Sequence, residues 1–448
     1  MPETFLVDLA EVALGMDQHD PQALATAGPL VMTPLFECAV GFLKAPSLVH
    51  AAHARARLAD LLFEVYLEPS AKVSYHDVHQ RRGLPRHSGH DLLLSHPEAQ
   101  RNLAPALLEL YGGVESLAEE DKFASRVKVM RLLAHLWAAE EHRATFRRIA
   151  RDHVKFLSFA NGLLGHLNAN VATVMEKLPE VRQIQMKQAN AGEWAALSDD
   201  EREGEEGRLR SNEGELRYFL PLCNETISML LLLSSDAEIR VPFLLPQLVD
   251  RLASTLLSVL VSLVGSKGLN IKVNNADELG FRPKTMLKEV SEAMAHFAAS
   301  ATFESAVATN GYYTTAPDTL RKVVSTLRKH SVSSKEVLGV LEAFVESVSS
   351  AAENSSALDE SDAPEHFLDP ILDEIMADPV RLPSSGKVMD RSTIEQHLLN
   401  DPTDPFNRAP LAISDLVPAD DIKAAIEAWQ AAKKGAAALG AGPAAMED

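Results

Sequence analysis

The strongest constraint in this sequence is a spacing. From the first residues to about Ser350, apolar side chains recur every three or four positions between short polar turns, and alternating strand-like runs are almost absent. Val127, Met130, Leu133, Ala134 and Trp137 make one such stripe, and Phe146, Ile149, Val154, Leu157 and Leu164 make the next. A one-sided apolar stripe has to be covered by a neighbour, so a long succession of such helices must stack. The expected architecture is a helical-repeat, armadillo-like solenoid rather than a single bundle, although no strict repeat period is visible.

Apolar residues make up 46% of the 448, enough to bury cores in more than one domain. The formal charge of −20 argues against nucleic acid and anionic membrane as partners, because both need a basic surface. Cys38 and Cys223 are the only cysteines, far apart, so neither a disulfide framework nor a zinc-ligand spacing is present. A reducing compartment is expected, cytoplasmic and/or nuclear. Met1-Pro2-Glu3-Thr4 carries acid where a secretory signal carries Lys or Arg. The stretch from Leu252 to Val264 is shorter than the roughly 20 residues of a spanning helix. The run from Met229 to Leu233 reads as core helix for the same reason.

Two segments interrupt the helical pattern. Tyr75 to His96 is dense in His and Arg, and Ser198 to Glu215 is dominated by Asp, Glu and Gly; both are expected to be exposed loops. His76, His79, His87, His90 and His96 have no regular spacing and read as solvated loop histidines rather than metal ligands. Gly265-Ser266-Lys267-Gly268 lacks the frame of a phosphate loop and reads as a helix stop. No metal and no cofactor are expected. Ala351 to Asp362 combines small and acidic residues without an apolar period, the composition of a flexible linker. The expected division is a helical body over 1–350, a linker over 351–364, a second module over 365–434 and a disordered Ala/Gly-rich tail over 435–448.

The second module reads as a small α+β unit. Val380-Arg381-Leu382-Pro383 and Lys387-Val388-Met389-Asp390 flank Ser384-Ser385-Gly386 as a short hairpin. Ser392-Thr393-Ile394-Glu395 has the form of a capping box, opening a helix to about Leu399 that the Asp401-Pro402 and Asp404-Pro405 pairs stop. A second helix, about Asp420 to Lys433, begins with acids and ends with lysines, and puts Ile422, Ile426 and Trp429 on one face.

Four pieces in order, Phe367-Leu368-Asp369-Pro370-Ile371-Leu372, Met376-Ala377-Asp378-Pro379-Val380, Asp390-Arg391-Ser392-Thr393-Ile394 and Asp404-Pro405-Phe406-Asn407-Arg408, resemble the U-box, a zinc-free relative of the RING domain. Upstream, Pro242-Phe243-Leu244, Asp250-Arg251-Leu252-Ala253, Leu263-Val264-Gly265-Ser266-Lys267, Asn270-Ile271-Lys272-Val273 and Gly280-Phe281-Arg282-Pro283-Lys284 are similar to the helical core of the ubiquitin conjugation factor E4 family. His96-Pro97-Glu98-Ala99, Leu136-Trp137 and His142-Arg143 also fit, more loosely before Val127. Members of that family are usually much longer at the N-terminus, so the chain looks like a short member or a C-terminal core.

The resemblance implies a ubiquitin-protein ligase or chain-elongation factor that recruits a ubiquitin-charged conjugating enzyme and forms no covalent ligase intermediate. It implies a docking groove of Ile371, Leu372, Asp373, His397, Pro405 and Phe406, with Asp373 standing where many relatives place an aromatic residue. That departure is expected to change partner affinity or choice. Arg408 is implied to donate to both conjugating enzyme and ubiquitin, holding the closed arrangement from which transfer occurs. Asp369, Asp390, Asp404 and Asn407 fall where zinc ligands would stand in a RING, and with Arg391 they are expected to form a polar network in place of the metal. Implied partners are the charged conjugating enzyme, ubiquitin or a ubiquitinated substrate, and the segregase ATPase of the proteasome pathway. The competing reading is a non-catalytic helical adaptor whose U-box has drifted at Asp373. A thioester relay through Cys38 or Cys223 is disfavoured, since both lie in apolar helical stretches without a His and acid beside them.

Overall fold

The computed structural model describes residues 3–20, 26–67, 89–113, 117–265, 271–356, 363–373, 375–398 and 401–440. The body is helical: α1 Glu3–His19, α2 Pro29–Leu43, α3 Ala52–Leu61, α4 Pro97–Gly113, α5 Glu119–Leu136, α6 Glu140–Arg151, α7 His153–Ala189, α8 Asp199–Ser235, α9 Pro246–Val264, α10 Pro283–Phe297, α11 Ala301–Ala308, α12 Thr319–His330 and α13 Lys335–Ser356, with shorter turns between them. Each helix packs mainly on partners close in chain order, α7 on α8 and α9, α8 on α10, α9 on α11, and α11 on α13. The result is one continuous apolar core. A file of aromatic rings runs through it, from Tyr111 to Phe159, Phe156, Phe243, Phe297, Phe303 and Phe344, with successive centroids 5.3–6.2 Å apart. Edge-to-face pairs at that spacing add orientation to area burial.

The run Met229 to Leu233 lies within α8, where Met229, Leu230 and Leu233 are buried. Helices α8 and α9 have the length and apolar content of a spanning segment, and their apolar faces are covered by the rest of the body. The stripe from Phe146 to Leu164 is divided between α6 and α7, which part at Asp152. Helix α9 stops at Gly265 as expected; 266–268 lie outside the described residues.

Three expectations need correction. Ser198 to Glu215 is not a loop but the first half of α8. The Ser198 hydroxyl accepts from the Glu201 N–H at 3.3 Å, and the Glu201 carboxylate accepts from the Ser198 N–H at 2.9 Å. Acid in the first turn suits the helix dipole. Further along, Glu205 pairs with Lys187 at 2.8 Å, Asn212 donates to Glu180 at 2.8 Å, and Gln185 reaches Glu213, so α7 supplies partners for this polar half-helix. His90 and His96 are not solvated either: His90 is buried with Nδ1 donating to the Tyr66 carbonyl at 3.0 Å, and His96 packs edge-on against Phe36 with Nε2 3.2 Å from Glu37. His76, His79 and His87 lie outside the described residues. The segment read as a linker begins inside α13, which runs through Ser356; residues 357–362 lie outside the description.

The C-terminal module is a three-stranded antiparallel sheet, order β2-β1-β3, with β1 Pro379–Arg381, β2 Val388–Asp390 and β3 Val417–Pro418, flanked by α14 Arg391–Leu398 and α15 Asp420–Gly440. Val380 faces Met389 across the predicted hairpin, and Gly386, at φ 70°, closes its turn in a conformation that suits glycine. Strand β3, with only Val417 and Pro418, is too short to show a period in the sequence. Val380, Leu382, Met389, Ile394, Leu411 and Leu416 form the module's core. Phe367, Met376 and Ile426, with Ile422 and Trp429 against them, form a second cluster that seats α15. Helix α15 continues past Lys433 to Gly440, into the segment expected to be a disordered tail; 441–448 lie outside the described residues.

Candidate functional site

Two loops of the module share one construction. They are Asp369-Pro370-Ile371-Leu372-Asp373 and Asp404-Pro405-Phe406-Asn407-Arg408. In each, the aspartate carboxylate accepts from the backbone N–H two residues on, Ile371 at 2.8 Å and Phe406 at 2.9 Å; the first loop adds the Leu372 N–H at 3.1 Å. In each, the fifth residue's N–H donates back to the aspartate carbonyl, at 2.8 Å from Asp373 and 2.7 Å from Arg408. That residue is left-handed in both, φ 58° at Asp373 and 60° at Arg408. One antiparallel bridge closes each base, Leu368 with Ile375 and Thr403 with Pro410. A non-glycine left-handed residue costs roughly 1–2 kcal/mol, so the carboxylate and backbone bonds must hold these turns against their own preference. The proline second in each loop fixes one dihedral in advance.

The second oxygen of each aspartate ties its loop to the sheet. Asp369 accepts from the Asp390 N–H at 2.7 Å, and Asp404 accepts from the Ser384 hydroxyl at 2.5 Å. Asp390 in turn accepts from the N–H groups of Ala377 and Asp378 at 2.7 and 2.9 Å, and from the Ser392 N–H and hydroxyl at 2.9 and 2.6 Å. The expected capping box at Ser392 is therefore replaced: Asp390 caps α14, and the Ser392 hydroxyl donates to it instead of receiving. Burial pushes the Asp404 carboxyl up, but hydrogen bonds from Ser384, Phe406 and Ser385 outweigh it and leave the pKa lowered. A carboxylate that accepts several N–H and O–H bonds is favoured in its charged form.

The expected five-member network thus divides into two carboxylate staples, Asp369 with Asp390 and Asp404 with Ser384. Arg391 joins neither. Its Nε donates to Asp378 at 2.6 Å, Lys423 reaches the other Asp378 oxygen at 2.9 Å, and these two cations, Lys423 foremost, hold the Asp378 carboxyl low. Arg391 thereby links α14 to α15. Asn407 accepts only locally, from the Ala409 N–H at 2.9 Å. Ser384, Asp378 and Lys423 were not singled out from the sequence. The signal available for Asp378 was the recurrence of Asp-Pro at 369, 378, 401 and 404, of which all but the exposed Asp401 tie separate segments together.

The loop tips stand out from the fold. Ile371 is 51% exposed, Leu372 54% and Phe406 38%, which separates them from the module's core. Pro405 is half-buried beside Phe406, and the half-buried His397 donates from Nε2 to the Thr403 carbonyl at 2.9 Å, fixing the base of the second loop to α14. Asp373 and Arg408 are exposed, and among the described residues neither side chain makes a hydrogen bond or ion pair. The site is a pair of rigid loops presenting apolar tips, with an unpaired acid ending one and an unpaired guanidinium ending the other. Neither cysteine is near it in sequence, and burial raises both thiol pKa values.

Comparison with known proteins gives two family matches: the ubiquitin elongating factor core over residues 1–349 and the U-box domain over 363–435. The probable ubiquitin conjugation factor E4 of Arabidopsis thaliana is 31% identical, covering 95% of this chain and 40% of its own length. The ubiquitin conjugation factor E4 of Schizosaccharomyces pombe is 28% identical, over 97% of this chain and 42% of its own. The E4 ubiquitin-protein ligase UFD2 of Saccharomyces cerevisiae is 30% identical, over 88% of this chain and 40% of its own. The chain spans about two fifths of the length of these relatives.

Proposed function

The chain belongs to the ubiquitin elongating factor core family and carries a U-box, and from that premise we propose that it is a ubiquitin-protein ligase that lengthens ubiquitin chains by presenting a charged conjugating enzyme to an acceptor lysine. The observation that carries this reading is the pair of Asp-stapled loops, with Ile371, Leu372 and Phe406 exposed at the tips. Exposed apolar groups on a pre-formed backbone make a small hot spot suited to a transient partner.

The ligase contributes no nucleophile. The acceptor amine attacks the thioester carbonyl, a C–N bond forms, the C–S bond breaks, and the sulfur leaves on the conjugating enzyme's cysteine. What remains for this chain is orientation: a thioester-linked ubiquitin samples many poses, and holding it in one removes that entropy before reaction. Arg408 is suited to the task because its guanidinium has no partner within the described chain and its planar fork of donors can bridge two surfaces. Intact loops and this free guanidinium favour the ligase over the drifted adaptor. Asp373 replaces an aromatic contact and tunes which conjugating enzyme docks. We assign the helical body to docking of ubiquitinated substrate or of the segregase ATPase, tested by co-purification of that ATPase with the full chain.

The deciding experiment is single-turnover discharge of ubiquitin from a panel of charged conjugating enzymes onto free lysine. The full chain accelerates discharge with at least one partner. Ile371→Ala weakens binding, while Arg408→Ala keeps affinity within a few-fold and slows discharge by about tenfold or more. No acceleration with any partner overturns the ligase reading, and an unchanged rate in Arg408→Ala removes that residue's role.

A further inference from the structure

Charge pairing in the module singles out one residue that the loop motifs do not contain. Arg381 pairs with Asp421, Arg391 with Asp378, and Lys423 with Asp378. Lys387 and Arg408 have no such partner among the described residues; Arg408 follows Phe406 by two residues in the same loop, and Lys387 reaches the Phe406 ring from the hairpin, its ammonium 6.0 Å from the centroid. Lys387 is exposed, on the hairpin whose turn is bound to the second loop by the Ser384–Asp404 hydrogen bond. Its own backbone is held on both sides, the carbonyl accepting from the Leu382 N–H at 2.9 Å and the N–H directed at the Ser385 hydroxyl at 3.5 Å. The backbone from which the ammonium reaches the apolar tip is therefore fixed by structure the module already uses for its fold.

In a chain of formal charge −20, an unpaired ammonium beside an exposed aromatic, with the Asp404 carboxylate of that loop buried and engaged by Ser384 and Phe406, puts accessible positive charge at the rim of an apolar contact. Positive charge there favours an acidic surface beside the apolar contact, and complementary charge at an interface rim sets partner choice and encounter rate. We propose that Lys387 is a specificity-determining residue of the docking surface, selecting conjugating enzymes that present a carboxylate beside the position where Phe406 is received. The inference rests on the ligase reading above and adds to it a contact on the β1–β2 hairpin.

The test measures affinity for the uncharged form of whichever conjugating enzyme discharges best, using the full chain. Lys387→Glu is expected to weaken binding about fivefold to tenfold, Lys387→Arg to stay near wild type, and rising ionic strength to narrow the difference. Lys387→Glu binding as tightly as wild type overturns the inference. So does unchanged binding with slower discharge, which would assign the lysine to ubiquitin. A wild-type chain that binds no conjugating enzyme overturns the ligase reading itself, a result distinct from either.

Discussion

The helical body and the C-terminal module solve the same problem with different chemistry. The body buries one continuous apolar core, threaded by the aromatic file from Tyr111 to Phe344. The module buries two small apolar clusters of six and three side chains, little for its size by burial alone, and its loops are held by buried carboxylates that accept backbone N–H groups. The ionisable groups record the contrast. In the body Glu225, Glu289 and Glu292 all have raised pKa values, chiefly through burial. In the module Asp404 and Asp378 are lowered by the groups that bond to them. At these three glutamates buried charge is a cost to the body, which elsewhere pairs its acids as at Asp236 with Arg147, whereas in the module it fastens the loops themselves.

The largest effect that would sharpen this contrast is expected from Asp369→Ala. It removes the acceptor for the N–H groups of Ile371, Leu372 and Asp390 at a site that is 2% exposed. The cost is about 3–5 kcal/mol, comparable to the whole stability of a domain this small. Segment-resolved hydrogen exchange on the full chain should find the module unprotected and the body unchanged. Leu230→Ala in the body costs a similar 2–5 kcal/mol by rough precedent, yet the larger core should stay folded. A module that keeps its protection without Asp369 would show that its small core suffices and that the staples are secondary.

How much of this was legible follows the same division. Helical stripes announce themselves because packing imposes a period: in the stripe from Val127 to Trp137, Met130 and Leu133 are buried and Val127, Ala134 and Trp137 pack against the core, while the equally buried Val129, Leu132 and Leu136 widen the face beyond what was read. The half-helix from Ser198 to Glu215 could not, because its neighbours are polar: Lys187, Glu180 and Gln185 in α7 satisfy it, and no apolar period marks such contacts. In the module the hairpin, both helices and every loop residue of the site were visible by local signal or resemblance. The partners were not. Whether Arg391 goes to Asp390 or to Asp378, and whether Ser392 caps its own helix or donates to Asp390, depends on which carboxylate the fold brings near. Composition offers all of these pairings equally.

A smaller effect concerns pH. Glu289 lies near Glu225 and Glu292, with Arg131, Arg282 and Lys288 around the group and the Ser228 hydroxyl donating to Glu289 at 3.0 Å. Its pKa is raised above the ordinary 4.5 by burial first and by the neighbouring carboxylates second. The stability it permits is therefore full below the ordinary value and is lost as pH rises through the raised one. For Asp404 and Asp378 the sign is opposite: their contribution is present above the ordinary 3.8 and disappears as pH falls through the lowered values. Acidification through the raised value should thus relieve the Glu289 contribution, against the opposite trend of the body's His142 and His296, whose pKa values burial lowers, and leave the module's carboxylate contribution unchanged until the ordinary 3.8 is approached. Below about pH 4 the module should fail first. Glu289→Gln should raise body stability at neutral pH by on the order of 1 kcal/mol and reduce the stabilising part of its response to acidification. Melting curves at about pH 7 and about pH 5, with and without the substitution, measure this. A pH dependence of body stability that Glu289→Gln leaves unchanged would reverse the assignment.

The smallest expected effect tests whether the two regions are separate at all. Helix α14 packs on α9, and across that junction the Gln247 amide donates to the Glu395 carboxylate, which is nearly buried and 3.7 Å from Arg391. The same junction brings Asp250 toward Asp390, and burial together with that carboxylate raises the Asp250 pKa. It is the one place in the described structure where the body's burial cost and the module's staple meet. Glu395 keeps Arg391 on its other oxygen, and Gln247 and Glu395 line one open cleft, so water can take the place of the lost amide. Gln247→Ala should therefore lower the module's opening free energy by less than about 1 kcal/mol and leave the body's unchanged. Hydrogen exchange in 375–398 against 246–264 reads both numbers from one sample. If the module instead loses as much as it does on Asp369→Ala, its staples are insufficient without the body behind them, and the module is an extension of the solenoid's core rather than a second, independently fastened fold.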